Sequence, residues 1–199
     1  MPKFLYIVSF FLVVFIASCT DSNSKTEIEK SNIQYEKPET SNQVIEGNEI
    51  EYKLWYNDKI WKLHGKKDPI SKTIDQESKN RNRLLSNTSN DVYVSIEETR
   101  EISSYEESFK HYAKWIKRQG GQIVDKEIRN VNGQDILFIK STVKSESKPL
   151  VSINYVLTNK SGGVSITAAV SEKLFELHKL DIFDILNGLV DHRTNSNTS

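Results

Sequence analysis

The segment around residues 132–139 constrains the fold more than any other. Asn132-Gly133 is a two-residue hairpin signal, because both residue types tolerate positive φ. The return strand then carries Ile136, Leu137, Phe138 and Ile139 in unbroken succession. Successive strand side chains point to opposite faces, so this strand is apolar on both and belongs in the middle of a sheet.

Alternation places the other strands. Ile50, Tyr52 and Leu54 alternate with polar neighbours, Asn57-Asp58 makes a turn, and Ile60, Trp61 and Leu63 continue in a second strand. Leu84-Leu85 starts a short strand, and Val92, Val94 and Ile96 mark a stronger one. Residues 122–130 lead into the hairpin, and residues 150–157 and 164–170 follow it, divided by polar turns. Residues 66–83 are polar and loop-like, with Pro69 and an isolated Ile70 and Ile74.

Two helices complete the pattern. Ser104 and Glu107 form a capping box, and Tyr105, Phe109, Tyr112, Ala113 and Ile116 fall on one face at helical spacing. Lys110, Lys114, Lys117 and Arg118 bias positive charge towards the far end, where Gly120-Gly121 stops the helix. Ser171 caps a second helix, which directs Leu174, Phe175, Leu177, Leu180, Phe183 and Leu186 towards the core. Strands, a helix, a meander and a closing helix predict an α+β domain. It is an antiparallel sheet of about six to seven strands with two main helices packed on it.

This order resembles the PsbP-like family of α/β/α-sandwich domains over residues 49–190. The marks are an opening hairpin from Tyr52 to Trp61, the Ser104 helix, the Asn132-Gly133 hairpin, the strand from Leu150 to Leu157, and the closing helix. The resemblance implies a non-enzymatic adaptor that binds other proteins or helps assemble complexes. It carries over no ligand residues.

The N-terminus reads as an export signal: a weakly basic start, an apolar run over residues 4–17, and small residues before Cys19. The run is too short for a membrane span, which needs about 20 apolar residues. Ile16-Ala17-Ser18-Cys19 resembles the lipobox of bacterial lipoproteins, in which the cysteine is diacylated and the preceding peptide removed. Cys19 is the only cysteine and has no disulfide partner, which favours acylation. Residues 1–18 are thus expected to be the signal peptide, and Cys19 the anchor into the lipid bilayer. Residues 19–48 form a flexible tether, too poor in apolar residues to build a core. Its ~28 residues would span about 30 Å on average. Residues 49–190 are the domain and 191–199 a disordered tail. Thr20, rather than an aspartate, follows the cysteine. In double-membraned bacteria that resembles outer-membrane sorting, facing the periplasm; a single-membraned source would place the protein on the outer face of the plasma membrane.

The chain's 27 basic and 27 acidic residues balance, so no basic excess draws nucleic acid. Catalytic signatures are sparse. His64, His111, His178 and His192 show no paired zinc spacing. His178, Asp181 and Asp184 could share a metal on one helix face, or form a solvated polar face. Serines lack the Gly-x-Ser-x-Gly elbow, and Gly162-Gly163 is a turn rather than a phosphate loop. Glu97 and Glu98 should point to opposite sheet faces. No catalytic residue, metal site or cofactor is assigned.

Trp55, Trp61 and Trp115 are the candidate partner-binding residues, since aromatic rings favour protein interfaces. The alternative is that such rings cover the sheet edge or pack within the fold. The expected function is a membrane-anchored envelope lipoprotein that binds an envelope protein. An envelope hydrolase or metal enzyme would need His64 or His111 to meet two carboxylates, and a ligand or lipid carrier would need a cavity between sheet and helix.

Overall fold

The computed structural model describes residues 28–65, 81–101, 104–144 and 149–191. The leader, Cys19, His192 and most of the polar loop lie outside the described residues. In chain order the elements are β1 (Lys30–Tyr35), β2 (Gln43–Glu46), β3 (Tyr52–Tyr56), β4 (Trp61–His64), β5 (Arg81–Asn87) and β6 (Tyr93–Thr99). Then come α1 (Tyr105–Arg118), β7 (Gln122–Val131), β8 (Gln134–Lys144), β9 (Pro149–Asn159), β10 (Gly162–Ser171), α2 (Glu172–Asn187) and β11 (Leu189–Asp191).

The large sheet has eight strands in the order β1-β7-β8-β9-β10-β6-β5-β4. Among the described residues, only β1 is parallel to its neighbour, β7. A second sheet of three antiparallel strands has the order β11-β3-β2. The Asn132-Gly133 turn forms as expected, with φ of 52° and 81°. Strand β8 lies inside the sheet, with Ile136 and Phe138 in one apolar cluster and Leu137 and Ile139 in another. Helix α1 covers the second cluster through Ile116, while α2 and the small sheet cover the first. The molecule is therefore three-layered, as an interior strand apolar on both faces requires.

Helix α1 is capped as expected: the Ser104 hydroxyl accepts from the Glu107 amide at 3.2 Å. Its other end closes at Gly120, with φ of 66°, and the Gly121 amide donates to the Ile116 carbonyl. No helix among the described residues is long and apolar enough to cross a membrane.

Four expectations are corrected. The main sheet has eight strands rather than six to seven. Residues expected in the tether supply β1 and β2, so the ordered part begins well before residue 49. An edge strand needs little apolar surface of its own: β2 buries Ile45 beside Leu54, and β1 rests Tyr35 on the core. The stretch Tyr52 to Trp61 is not a hairpin. Its turn, in which the Trp61 amide donates to the Asn57 carbonyl, carries the chain from the small sheet to the large one. Finally, α2 faces the core through Phe175, Ile182, Ile185 and Leu186, leaving Leu177 68% and Leu180 75% exposed. A helix this rich in apolar residues offers two overlapping stripes at helical spacing, and packing selects one.

Candidate functional site

The three tryptophans have three different fates. Trp61 is 2% exposed inside the core, which removes it as a docking ring. Trp115 is 44% exposed on α1. Trp55 is half-buried on β3, out of phase with the inward Tyr52, Leu54 and Tyr56, as the alternation requires. Trp55 and Trp115 lie on opposite sides of the large sheet, so no single aromatic patch forms.

Trp55 is fixed from both sides. Its amide donates to the Gly188 carbonyl at 2.9 Å, just past the end of α2. A Cβ at position 188 would fall 1.9 Å from the Trp55 carbonyl oxygen, so only glycine lets the two backbones approach. The Lys37 ammonium stands 5.2 Å above the indole, within cation–π range.

Lys37 also borders a groove of about 520 Å³ lined by the end of β1 and the β7–β8 turn, including Gln34, Asn130 and Gly133. Asn132 organises it. Its side-chain oxygen accepts from the Lys37 amide at 2.7 Å, and its side-chain nitrogen donates to the carbonyls of Asn187 and Leu189. Its own amide donates to the Tyr35 carbonyl. One residue thus ties together the end of β1 and the segment after it, the turn, the end of α2 and β11. The sequence marked Asn132 as a turn former and gave no sign of these distant partners.

Behind the groove lies Arg129, 8% exposed, which the sequence did not single out. Its guanidinium sits 3.4 Å from the Phe138 ring centre and 4.9 Å from that of Tyr35. It donates to Glu127 at 2.6 Å and to the Tyr155 hydroxyl at 3.0 Å, which in turn donates to Asn187. Burial raises the Tyr155 pKa, only partly offset by the Arg129 charge. Burial also disfavours the charged guanidinium, but Tyr155 and Glu127 beside it more than compensate. The cluster is a partnered cation in an aromatic box that supports the groove from below.

The acids and histidines disperse. Glu98 turns inward and accepts from the amides of Asn48, Glu49 and Ile50 and from the Tyr52 hydroxyl. Burial, then the Glu98 charge, raises the Tyr52 pKa. Glu97 lies on the other face, near Tyr112, whose hydroxyl is pushed up to about 12, chiefly by burial. Such opposition is what the strand period predicts. His64 sits 2.8 Å from the Ser86 hydroxyl, and His111 packs edge-on to Tyr112. His178 lies 3.5 Å from Asp181, and burial, then Asp181, holds the Asp184 carboxyl above its ordinary range. Among the described residues no three of His, Cys, Asp and Glu converge as a metal site would need, so the set His178, Asp181 and Asp184 is not assembled. A space beside Trp61 and Ile185 holds only about 10 Å³, roughly one water.

No family model and no curated protein matches the chain. Solved structures do. The solution structure of cyanobacterial PsbP (CyanoP) from Synechocystis sp. PCC 6803 matches with a TM-score of 0.54 and 12% identity, over 76% of this chain and 93% of that one. A Pseudomonas aeruginosa protein of unknown function, PA94, matches with a TM-score of 0.45 and 10% identity, over 74% and 95% of the two chains. A Bacteroides thetaiotaomicron structure gives 0.44 and 11%, over 74% and 47%. At such identities the likeness concerns architecture alone, and it rests on the first of the three. With a large sheet, two helices and this match, the chain has a PsbP-like α+β fold.

Proposed function

We propose that this protein is a lipid-anchored module of the cell envelope that binds a protein partner and carries out no catalysis. The observation behind this reading is the apolar leader closing on Ile16-Ala17-Ser18-Cys19, with Cys19 the sole cysteine. The PsbP-like architecture supports it. So does the groove bordered by Lys37, Asn130 and Asn132, together with the Trp55 ring that lies under the Lys37 ammonium. Aromatic and cationic groups held by a rigid frame suit a protein surface better than a small molecule. In a double-membraned cell Thr20 points to the outer membrane, facing the periplasm; in a single-membraned cell the module stands on the outer face of the plasma membrane.

Mass spectrometry of protein from its native host tests the anchor. The expected product lacks residues 1–18 and carries a thioether-linked diacylglycerol on Cys19. A bare sulfur or a retained leader rejects the anchor. For docking, Trp55→Ala should weaken partner binding about tenfold while the circular dichroism spectrum is unchanged. Equal affinity of the variant would show that the partner sits elsewhere.

A further inference from the structure

The outer face of α1 joins an exposed ring to concentrated positive charge. Trp115 is exposed with Arg118 on its own side one turn on, while Lys110, Lys114 and Lys117, also exposed, lie further round the solvent-facing surface of the helix. Lys144 runs alongside Gly120 at the same end, and Val124, just beyond it, is 56% exposed. The acids of the helix, Glu106 and Glu107, lie in its first turn, at the far end. The helix dipole accounts for the basic bias, but not for an indole left open at the margin of the basic surface.

The path of the chain gives this face a setting. Because β1 runs parallel to β7, tracing it backwards from Lys30 leads towards the start of β7, where Gly120-Gly121 joins α1. The Glu29 carbonyl accepts from the Ile128 amide, and Ile28 packs on the same apolar cluster as Ile116, the neighbour of Trp115. Only nine positions separate Ile28 from Cys19. Fully extended they reach about 30 Å.

We infer that the C-terminal half of α1 rests on an anionic bilayer surface, with Trp115 at the headgroup level and Lys114, Lys117 and Arg118 on lipid phosphates. This rests on the reading that Cys19 is acylated, because the short connection is what brings this face to the membrane. A tryptophan at the margin of a basic helix surface suits the interface, where the ring is half apolar and long cationic side chains reach round to negative charge. Trp55, on the opposite side of the large sheet, then stays free for a partner.

The test uses the full acylated protein reconstituted into vesicles with bromine-labelled acyl chains. The vesicles are phosphatidylcholine alone, or carry about one-third phosphatidylglycerol. In anionic vesicles tryptophan fluorescence should be quenched. Trp115→Phe should abolish the quenching, and Lys114→Glu with Lys117→Glu and Arg118→Glu should at least halve it, as should ~0.5 M salt. Equal quenching in Trp115→Phe, or quenching indifferent to phosphatidylglycerol, overturns the inference. A Trp115 left unquenched in anionic vesicles at low salt, on protein that the anchor still holds to the vesicles, also overturns it, and leaves an acidic protein as the partner of α1. Protein that leaves the vesicles at high salt instead defeats the anchor itself.

Discussion

Glu98 turns its carboxylate inward from β6 and gathers three consecutive amides, those of Asn48, Glu49 and Ile50, with the Tyr52 hydroxyl. This contact locks the connection between β2 and β3 onto the large sheet. Glu98→Ala would leave the buried Ile50 amide and Tyr52 hydroxyl without this acceptor, and the part-buried amides of Asn48 and Glu49 with water alone. The expected loss is about 2–4 kcal/mol, read from urea denaturation, with Glu98→Gln losing less because one oxygen remains. A loss under about 0.5 kcal/mol would mean that water replaces the carboxylate freely. At this scale the sequence was half legible. The divergence of Glu97 and Glu98 follows from strand geometry alone. The amides that Glu98 collects lie 48 to 50 positions upstream, and no local pattern couples them. The same holds for Arg129 and Asn132, whose roles come from partners on distant strands and on α2.

Among the elements, α1 and the β7–β8 hairpin were readable because their signals are local: a capping hydroxyl, a glycine stop, and two turn residues with positive φ. Helix α2 was harder. Leu177 and Leu180 look as core-directed as Phe175 and Leu186, and only the packing partners distinguish them. Ile182→Ala should therefore cost about 2–5 kcal/mol, whereas Leu180→Lys should stay within about 0.5 kcal/mol of wild type in the same denaturation assay. Similar losses for both would place the helix in a different rotation about its axis. The turn after Tyr56 misled for a related reason. Two strands joined by a short turn usually pair, yet the pairing partners of β3 are β2 and β11, which lie far apart in the chain. Trp61, carried across that corner, enters the core rather than the surface.

For the whole molecule, the boundary matters most. A domain cut at residue 49 would lose β1 and β2, and with them Ile45 and one edge of each sheet. A fragment of residues 28–199 should melt at least about 5 °C higher than one of residues 49–199, and the shorter one should aggregate through its bared edges. Equal melting temperatures would show that these strands add nothing to the fold. Composition hid them: Ile33, Tyr35, Val44 and Ile45 are too few to nucleate structure, and they become strands only against a sheet already formed. That dependence sets an order of assembly. Lys30 pairs with Ile128, so β1, the earliest strand among the described residues, has no mate until β7 has been made. The mate is then at hand as soon as β7 appears, whereas the small sheet waits longer still, until the last residues of β11 emerge to meet β3.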